Sequence, residues 1–165
     1  MGVRLRRRLC FGAGYALAAF VLAACGGAER DDSGEIVEGG DIDVFSFEVG
    51  DCFDDPPGTS TGVAEVPAVP CSESHDNEVF ALGDHPADDD APYPGDAAMQ
   101  SFAEEFCLGE FEGYVGISYD ESRFAAAPFF PSQDTWEQQD DREFVCFLYD
   151  LESQKLTGSM KDSGE

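Results

Sequence analysis

The chain has 165 residues, with 35 acidic side chains against nine basic ones and a formal net charge of −26. That length holds one modest domain, with or without a tail, and the charge excludes nucleic acid as a partner, because gripping a phosphate backbone takes clustered Lys and Arg. A composition 42% hydrophobic and 12% aromatic excludes disorder throughout.

The first segment is an address. Arg4, Arg6, Arg7 and Arg8 form a positive n-region, Leu9 to Ala24 are apolar or small, and the run ends at Leu22-Ala23-Ala24-Cys25. This is the pattern of a bacterial export signal closed by a lipobox. It predicts that residues 1–24 are a removed signal peptide, that Cys25 takes a diacylglycerol, and that the protein sits lipid-anchored on the outer face of the cytoplasmic membrane. Its contact with the membrane is then through that N-terminal lipid. Removing 1–24 takes four basic residues and no acidic one, leaving a net charge of −30 over 141 residues. Such a surface repels anionic lipid heads. Asp54-Asp55 and Asp88-Asp89-Asp90 lack the alternating oxygen ligands and central Gly of a calcium loop, so no metal or cofactor is assigned.

Residues 25–43 hold only Ile36, Val37 and Ile42 as large apolar residues among Gly, Asp, Glu and Ser. Taken alone, such a stretch cannot bury enough surface to offset its ordering entropy, and it reads as a flexible acidic tether. Residues 44–160 read as a small α+β domain, an antiparallel sheet stapled by disulfides with one main helix packed on it, and 161–165 as a tail. In order, Val44 to Val49 alternates as a strand, Gly50-Asp51 turns, and 54–62 is a Pro/Gly/Thr/Ser loop. Val63 to Val69 is extended, with Pro67 and Pro70 placing it at an edge. Glu78 to Leu82 is a short strand and 83–95 a surface loop. Asp96 serves as N-cap of a helix reaching about Phe111, with Met99, Phe102, Ala103 and Phe106 on one stripe and Cys107 at its margin. Phe124 to Phe130 is extended, and Ser132 to Gln139 makes a helical turn around Trp136. Glu143 to Tyr149 is apolar on both faces, the mark of a central strand. Leu156 to Met160 closes the sheet at an edge.

Cys10 leaves with the signal and Cys25 is lipidated, so Cys52, Cys71, Cys107 and Cys146 remain. An even count in an exported domain implies two disulfides. Three pairings are open. Cys52–Cys71 with Cys107–Cys146 is favoured, because the first closes adjacent extended segments and the second joins the helix stripe to the central strand. No C-x-x-C pair supports a four-thiolate metal site.

Gly50-Asp51-Cys52-Phe53, Val69-Pro70-Cys71-Ser72, His75-Asp76-Asn77-Glu78-Val79, Cys107, Phe111-Glu112-Gly113-Tyr114-Val115-Gly116, Pro131-Ser132, Trp136, Asp141-Arg142, Cys146 and Leu156-Thr157-Gly158-Ser159-Met160 form an ordered set. The set resembles the septum formation domain family of actinobacterial membrane-bound and lipid-anchored envelope proteins, over about residues 44–160. The family tends to carry Gly-Asp-Arg before its last Cys, and Asp140 stands here in place of that Gly. The resemblance implies a role at the division septum with an envelope or division protein as partner.

Candidate chemical groups are few. His75, between Cys71 and Glu78, is either an acid/base or ligand-binding group oriented by Glu78 or a structural His capping the turn after the first disulfide. His85 reads as solvated. Glu104 and Glu105 are adjacent on a helix and point about 100° apart, so they do not face one another as paired carboxylates. Trp136 with Tyr114 and Tyr119 either lines a groove or packs in the core. Arg142 is expected to pair with a carboxylate at the start of the last strand. No Gly-x-Ser-x-Gly, Ser-x-x-Lys or phosphate-loop motif occurs. Two functions compete: a non-enzymatic binding module of the envelope, and a peptidoglycan-directed hydrolase using His75 with a carboxylate. The missing nucleophile motif and the stapled cysteines favour the first.

Overall fold

Strands with apolar residues on both faces need cover on both sides, and here each face has a different cover. The computed structural model describes residues 26–58 and 64–165. The strands are β1 (Glu29–Arg30), β2 (Ile36–Glu38), β3 (Gly40–Asp43), β4 (Cys52–Phe53), β5 (Glu65–Val69), β6 (Ser74–His75), β7 (Asn77–Asp84), β8 (Phe124–Phe129), β9 (Glu143–Asp150) and β10 (Leu156–Thr157). The helices are α1 (Asp96–Val115) and α2 (Gln133–Gln139). Six strands form one antiparallel sheet in the order β3-β5-β4-β7-β9-β8, which is the α+β architecture expected.

On one face lies α1. Cys107, Phe111, Tyr114 and Val115 pack on Phe80, Phe124, Cys146 and Leu148. Alternation along β9 aims Phe144, Cys146 and Leu148 at this side, and all three are buried. Gly83 lets α1 come close, because a Cβ there would stand 2.4 Å from the Phe106 ring. The helix begins after Gly95 rather than at an Asp96 cap, and it continues through Gly109 and Gly113 to Val115, where Gly116 at φ 87° closes it. Glycines inside a helix cost only about 1 kcal/mol each, less than burying Tyr114 and Val115 returns. Beyond the sheet, Met99, Ala103, Trp136 and Phe144 make a smaller cluster, with α2 started by a Ser132–Thr135 capping box.

The opposite face is covered by residues expected to be a tether. β3 pairs with β5 from Gly40–Ala68 to Asp43–Glu65, β1 pairs with β2, and Ile36, Ile42, Val44 and Phe47 pack against Phe53, Val66, Val79 and Val145. Arg30 clamps the segment to the domain, donating to Asp51 at 2.5 and 2.6 Å and to the carbonyls of Gly34 and Ser46. Two buried apolar residues, Ile36 and Ile42, are too few to fold alone, yet enough when the sheet supplies the other surface, while Val37 stays exposed. The signal peptide 1–24 and Cys25 lie outside the described residues.

Three other local expectations are corrected. Val44–Ser46 is a 3₁₀ turn instead of a strand, because the Asp43 side chain accepts from Phe45 N and bends the chain. β5 is interior, between β3 and β4. Pro67 is tolerated because its carbonyl accepts from Asp54 N, just past the end of the short β4, so the side lacking an N–H faces no ladder partner. β10 pairs with β6 as a separate two-stranded ladder instead of extending the sheet. The disulfides are Cys52–Cys71 and Cys107–Cys146, the favoured pairing.

Candidate functional site

The polar groups converge where β4, β6, β7, α1 and the segment after β10 meet. Glu78 is fully buried in β7. Its Oε1 accepts from Tyr114 Oη at 2.6 Å and from Ser159 Oγ at 2.5 Å, and its Oε2 accepts from Met160 N at 2.7 Å. A buried carboxylate is costly unless hydrogen-bonded, and three donors from two distant parts of the chain answer it. Burial first, then hydrogen bonding to Glu78, pushes the Tyr114 phenol well above its ordinary range.

His75 is fully buried at the end of β6. Its Nδ1 lies 2.9 Å from Glu73 O. A carbonyl only accepts, so Nδ1 carries the proton and the ring holds the turn after the first disulfide. Nε2 is buried with no hydrogen-bond partner. The expected His75–Glu78 pair does not form, because Glu78 is turned toward Tyr114, Ser159 and Met160. Cys52, His75 and Glu78 nonetheless place one ligand-type atom each within 4.8 Å of one another. The sulfur of Cys52 is held in the disulfide with Cys71, whose Sγ sits 3.1 Å from Gly50 O.

On the face of β7 and β9 that Asn77, Phe147 and Tyr149 share, opposite to Glu78 and Leu148, opens a cleft of about 280 Å³ lined by Asp55, Asp76, Asn77, Phe147, Tyr149 and Asp150 among others. Asn77 donates to Asp55 at 2.9 Å. Lys155 Nζ bridges Asp54 and Asp76 at 2.7 and 2.8 Å along the rim, and Arg123 pairs with Asp150. Burial opposes ionisation of Asp76, but the Lys155 ammonium and the Asp55 N–H outweigh it and hold the carboxyl below its ordinary value. Asp150 is lowered in the same way: burial works against it, and the N–H groups of Glu152 and Gln154 and the Arg123 guanidinium prevail. Four carboxylates against two cations, over an aromatic floor with Tyr149 exposed, make a place for a basic group.

The remaining candidates are scattered. Trp136 is buried and donates Nε1–H to Ala91 O at 2.8 Å, and it shares no cluster with Tyr114 or Tyr119, so the three do not line a groove. Arg142 lies 3.6 Å from the Trp136 ring and donates to the carbonyls of Trp136, Asp141 and Asp89. Its partners are main-chain oxygens instead of the expected carboxylate, because it packs on Trp136 under the loop that carries Asp89, where no acidic side chain among the described residues pairs with it. His85 is packed against Phe102 and Trp136 rather than solvated, and burial followed by the Arg142 charge lowers its pKa. Glu104 and Glu105 are exposed on α1. Asp140 closes α2 in the left-handed region at φ 53°, which is the physical reason a Gly suits that position. Sequence reasoning missed Asp51, the Tyr114–Glu78–Ser159 network and the cleft; the only local sign of the cleft was the second apolar row of β9, which runs from the buried Val145 to Phe147 and the exposed Tyr149.

Among the described residues, no helix is long and apolar enough to cross a membrane. No solved structure matches the chain. It is 29% identical over 106 residues to an uncharacterized membrane protein of Mycobacterium tuberculosis, found alike in strains CDC 1551 / Oshkosh and H37Rv. The match covers 60% of this chain but only 23% of the length of those relatives. The septum formation family profile matches residues 49–164, a span that runs from the Gly50 turn through both disulfides and the Glu78 network to the segment that caps it, and the chain therefore belongs to the septum formation family.

Proposed function

We propose that this chain is an exported, lipid-anchored envelope protein that acts in septum formation as a non-enzymatic binding module, and that the acidic cleft takes a basic segment of its protein partner. The observation that carries this reading is the cleft itself, with Asp55, Asp76 and Asp150 around Phe147 and Tyr149, in a chain whose overall charge repels anionic surfaces. Electrostatic complementarity of this kind steers and selects a partner, and an exposed Tyr beside acidic groups suits a Lys or Arg side chain. Support for binding over catalysis comes from the commitment of the other groups. Glu78 holds three donors, His75 is closed from solvent, and Cys52 is oxidised. The lipobox ending at Cys25 supports the anchor, and the membrane-protein names of the relatives accord with it.

Imaging the tagged full-length chain in dividing cells tests the reading. The wild type is expected to collect at septa, and Asp55→Asn with Tyr149→Ser, on the surface and away from the core, is expected to spread over the envelope at unchanged abundance. Uniform distribution of the wild type, or septal retention of the cleft variant, rejects it.

A further inference from the structure

We propose that Cys52, Cys71, His75 and Glu78 are a latent site for a zinc-class divalent metal, formed when the Cys52–Cys71 disulfide is reduced. The site differs from the cleft and does not depend on the binding reading. Its first support is His75. Nδ1–H is fixed on the carbonyl of Glu73 at 2.9 Å, and Nε2 presents a buried, unpartnered lone pair. That is how a metal-ligating imidazole is held, with its outer N–H on a carbonyl and its inner nitrogen on the ion. Leaving such an atom unpaired in the interior otherwise calls for an explanation.

The second support is the company of that ring. A His75 ring nitrogen, Cys52 Sγ and a Glu78 oxygen lie within 4.8 Å of one another, all three residues buried, and Cys71 Sγ is bonded to Cys52 Sγ. An ionised carboxylate offers about four lone-pair sites. Tyr114, Ser159 and Met160 use three at Glu78, and one is left. With the disulfide closed, the set has one nitrogen and one oxygen and no thiolate. With it open, two thiolates, an imidazole and a carboxylate make the four-coordinate N/S/O set that zinc takes, at bond lengths of about 2.0–2.3 Å.

The opening step balances with a dithiol as reductant. One of its thiolates attacks Cys71 Sγ, the more exposed sulfur. The S–S bond breaks and its electron pair leaves on Cys52 Sγ, which takes a proton. The second thiol of the reductant then displaces Cys71 as a thiol and departs as a cyclic disulfide, so two electrons and two protons reach the protein. Metal binding expels those two protons, because thiolates are the ligands. Cys107–Cys146 serves as the internal contrast, since its neighbours are Phe80, Phe111 and Leu148 and it gains no ligand on reduction.

The test uses the full-length chain in detergent with cobalt(II) as the probe and a phosphine as reductant, since phosphine is oxidised to its oxide and offers no competing thiol. The reduced chain is expected to bind one cobalt with a thiolate-to-cobalt charge-transfer band and to melt higher with cobalt than without, as a ligand that selects the native state requires. The oxidised chain is expected to show neither. His75→Gln should weaken binding at least about tenfold, the loss that removing even an outer-shell partner of a metal ligand brings, and His75→Cys should restore it. Binding by the oxidised chain, no binding or no cobalt-dependent fold in the reduced chain, or equal affinity across wild type, His75→Gln and His75→Cys overturns the proposal.

Discussion

Cys107–Cys146 and Cys52–Cys71 staple the same sheet in surroundings that differ in kind. The first joins α1 to β9 inside an apolar cluster with Phe80, Phe111 and Leu148. The second joins the start of β4 to the turn after β5, next to a buried imidazole, a buried carboxylate and a backbone carbonyl. Chain-entropy arguments treat the two as alike, since each closes a loop. The neighbours separate them. An apolar staple can only hold, whereas a disulfide set among a lone pair and a carboxylate has groups that respond to redox state, metal and protons. Polar satisfaction is uneven even within the second region: Glu78 has a donor for three of its sites, and His75 Nε2 has none.

The largest expected effect probes the satisfied half of that region. Glu78→Ala strands Tyr114 Oη and Met160 N in the interior, at about 1–3 kcal/mol each if unrelieved, while the exposed Ser159 turns to water, so a total loss of about 4–5 kcal/mol is expected in urea melts. A loss below about 1 kcal/mol would show that water replaces the carboxylate and that the network is incidental.

Next comes the apolar staple. Replacing Cys107→Ala together with Cys146→Ala reopens a loop whose ends are 39 residues apart, and should cost about 3–4 kcal/mol. That loss belongs to the oxidised chain; once both bridges are reduced, the same replacement should leave any metal-dependent stabilisation unchanged, because the neighbours of this staple are apolar. A metal-dependent loss would erase the contrast between the two disulfides.

The smallest effect is the response to acid, read at the carboxylates of the cleft. Asp76 and Asp150 titrate below their ordinary values in the folded chain. A carboxyl lowered by folding stabilises the fold above its unfolded pKa of about 4, and that contribution disappears as pH falls through the folded value. Melting temperature should therefore decline from about pH 5 toward pH 2. Asp76→Asn should flatten part of that slope while changing stability near neutrality by no more than about 1 kcal/mol, the worth of a partly exposed ion pair. An unchanged acid slope in the variant would move the effect to other carboxylates.

Local pattern alone was enough for much of the molecule. The two-sided apolar run of β9, the stripe of α1, the Ser132 start of α2 and the even cysteine count each follow from periodicity, capping or redox chemistry that acts within a few residues. What tertiary structure decided depends on surfaces brought from far along the chain. Residues 26–43 fold because the sheet offers Ile36 and Ile42 a face to cover, a quantity absent from their own composition. Pro67 sits in an interior strand because β4 is only two residues long. Arg142 found carbonyls in place of a carboxylate because the loop carrying Asp89 folds over it. Glu78 takes its donors from Tyr114 and from Ser159 and Met160, and a side chain 81 residues away leaves no mark on the residues beside it. Burial of charge is settled by partners, and partners at that separation are chosen only when the chain has closed on itself.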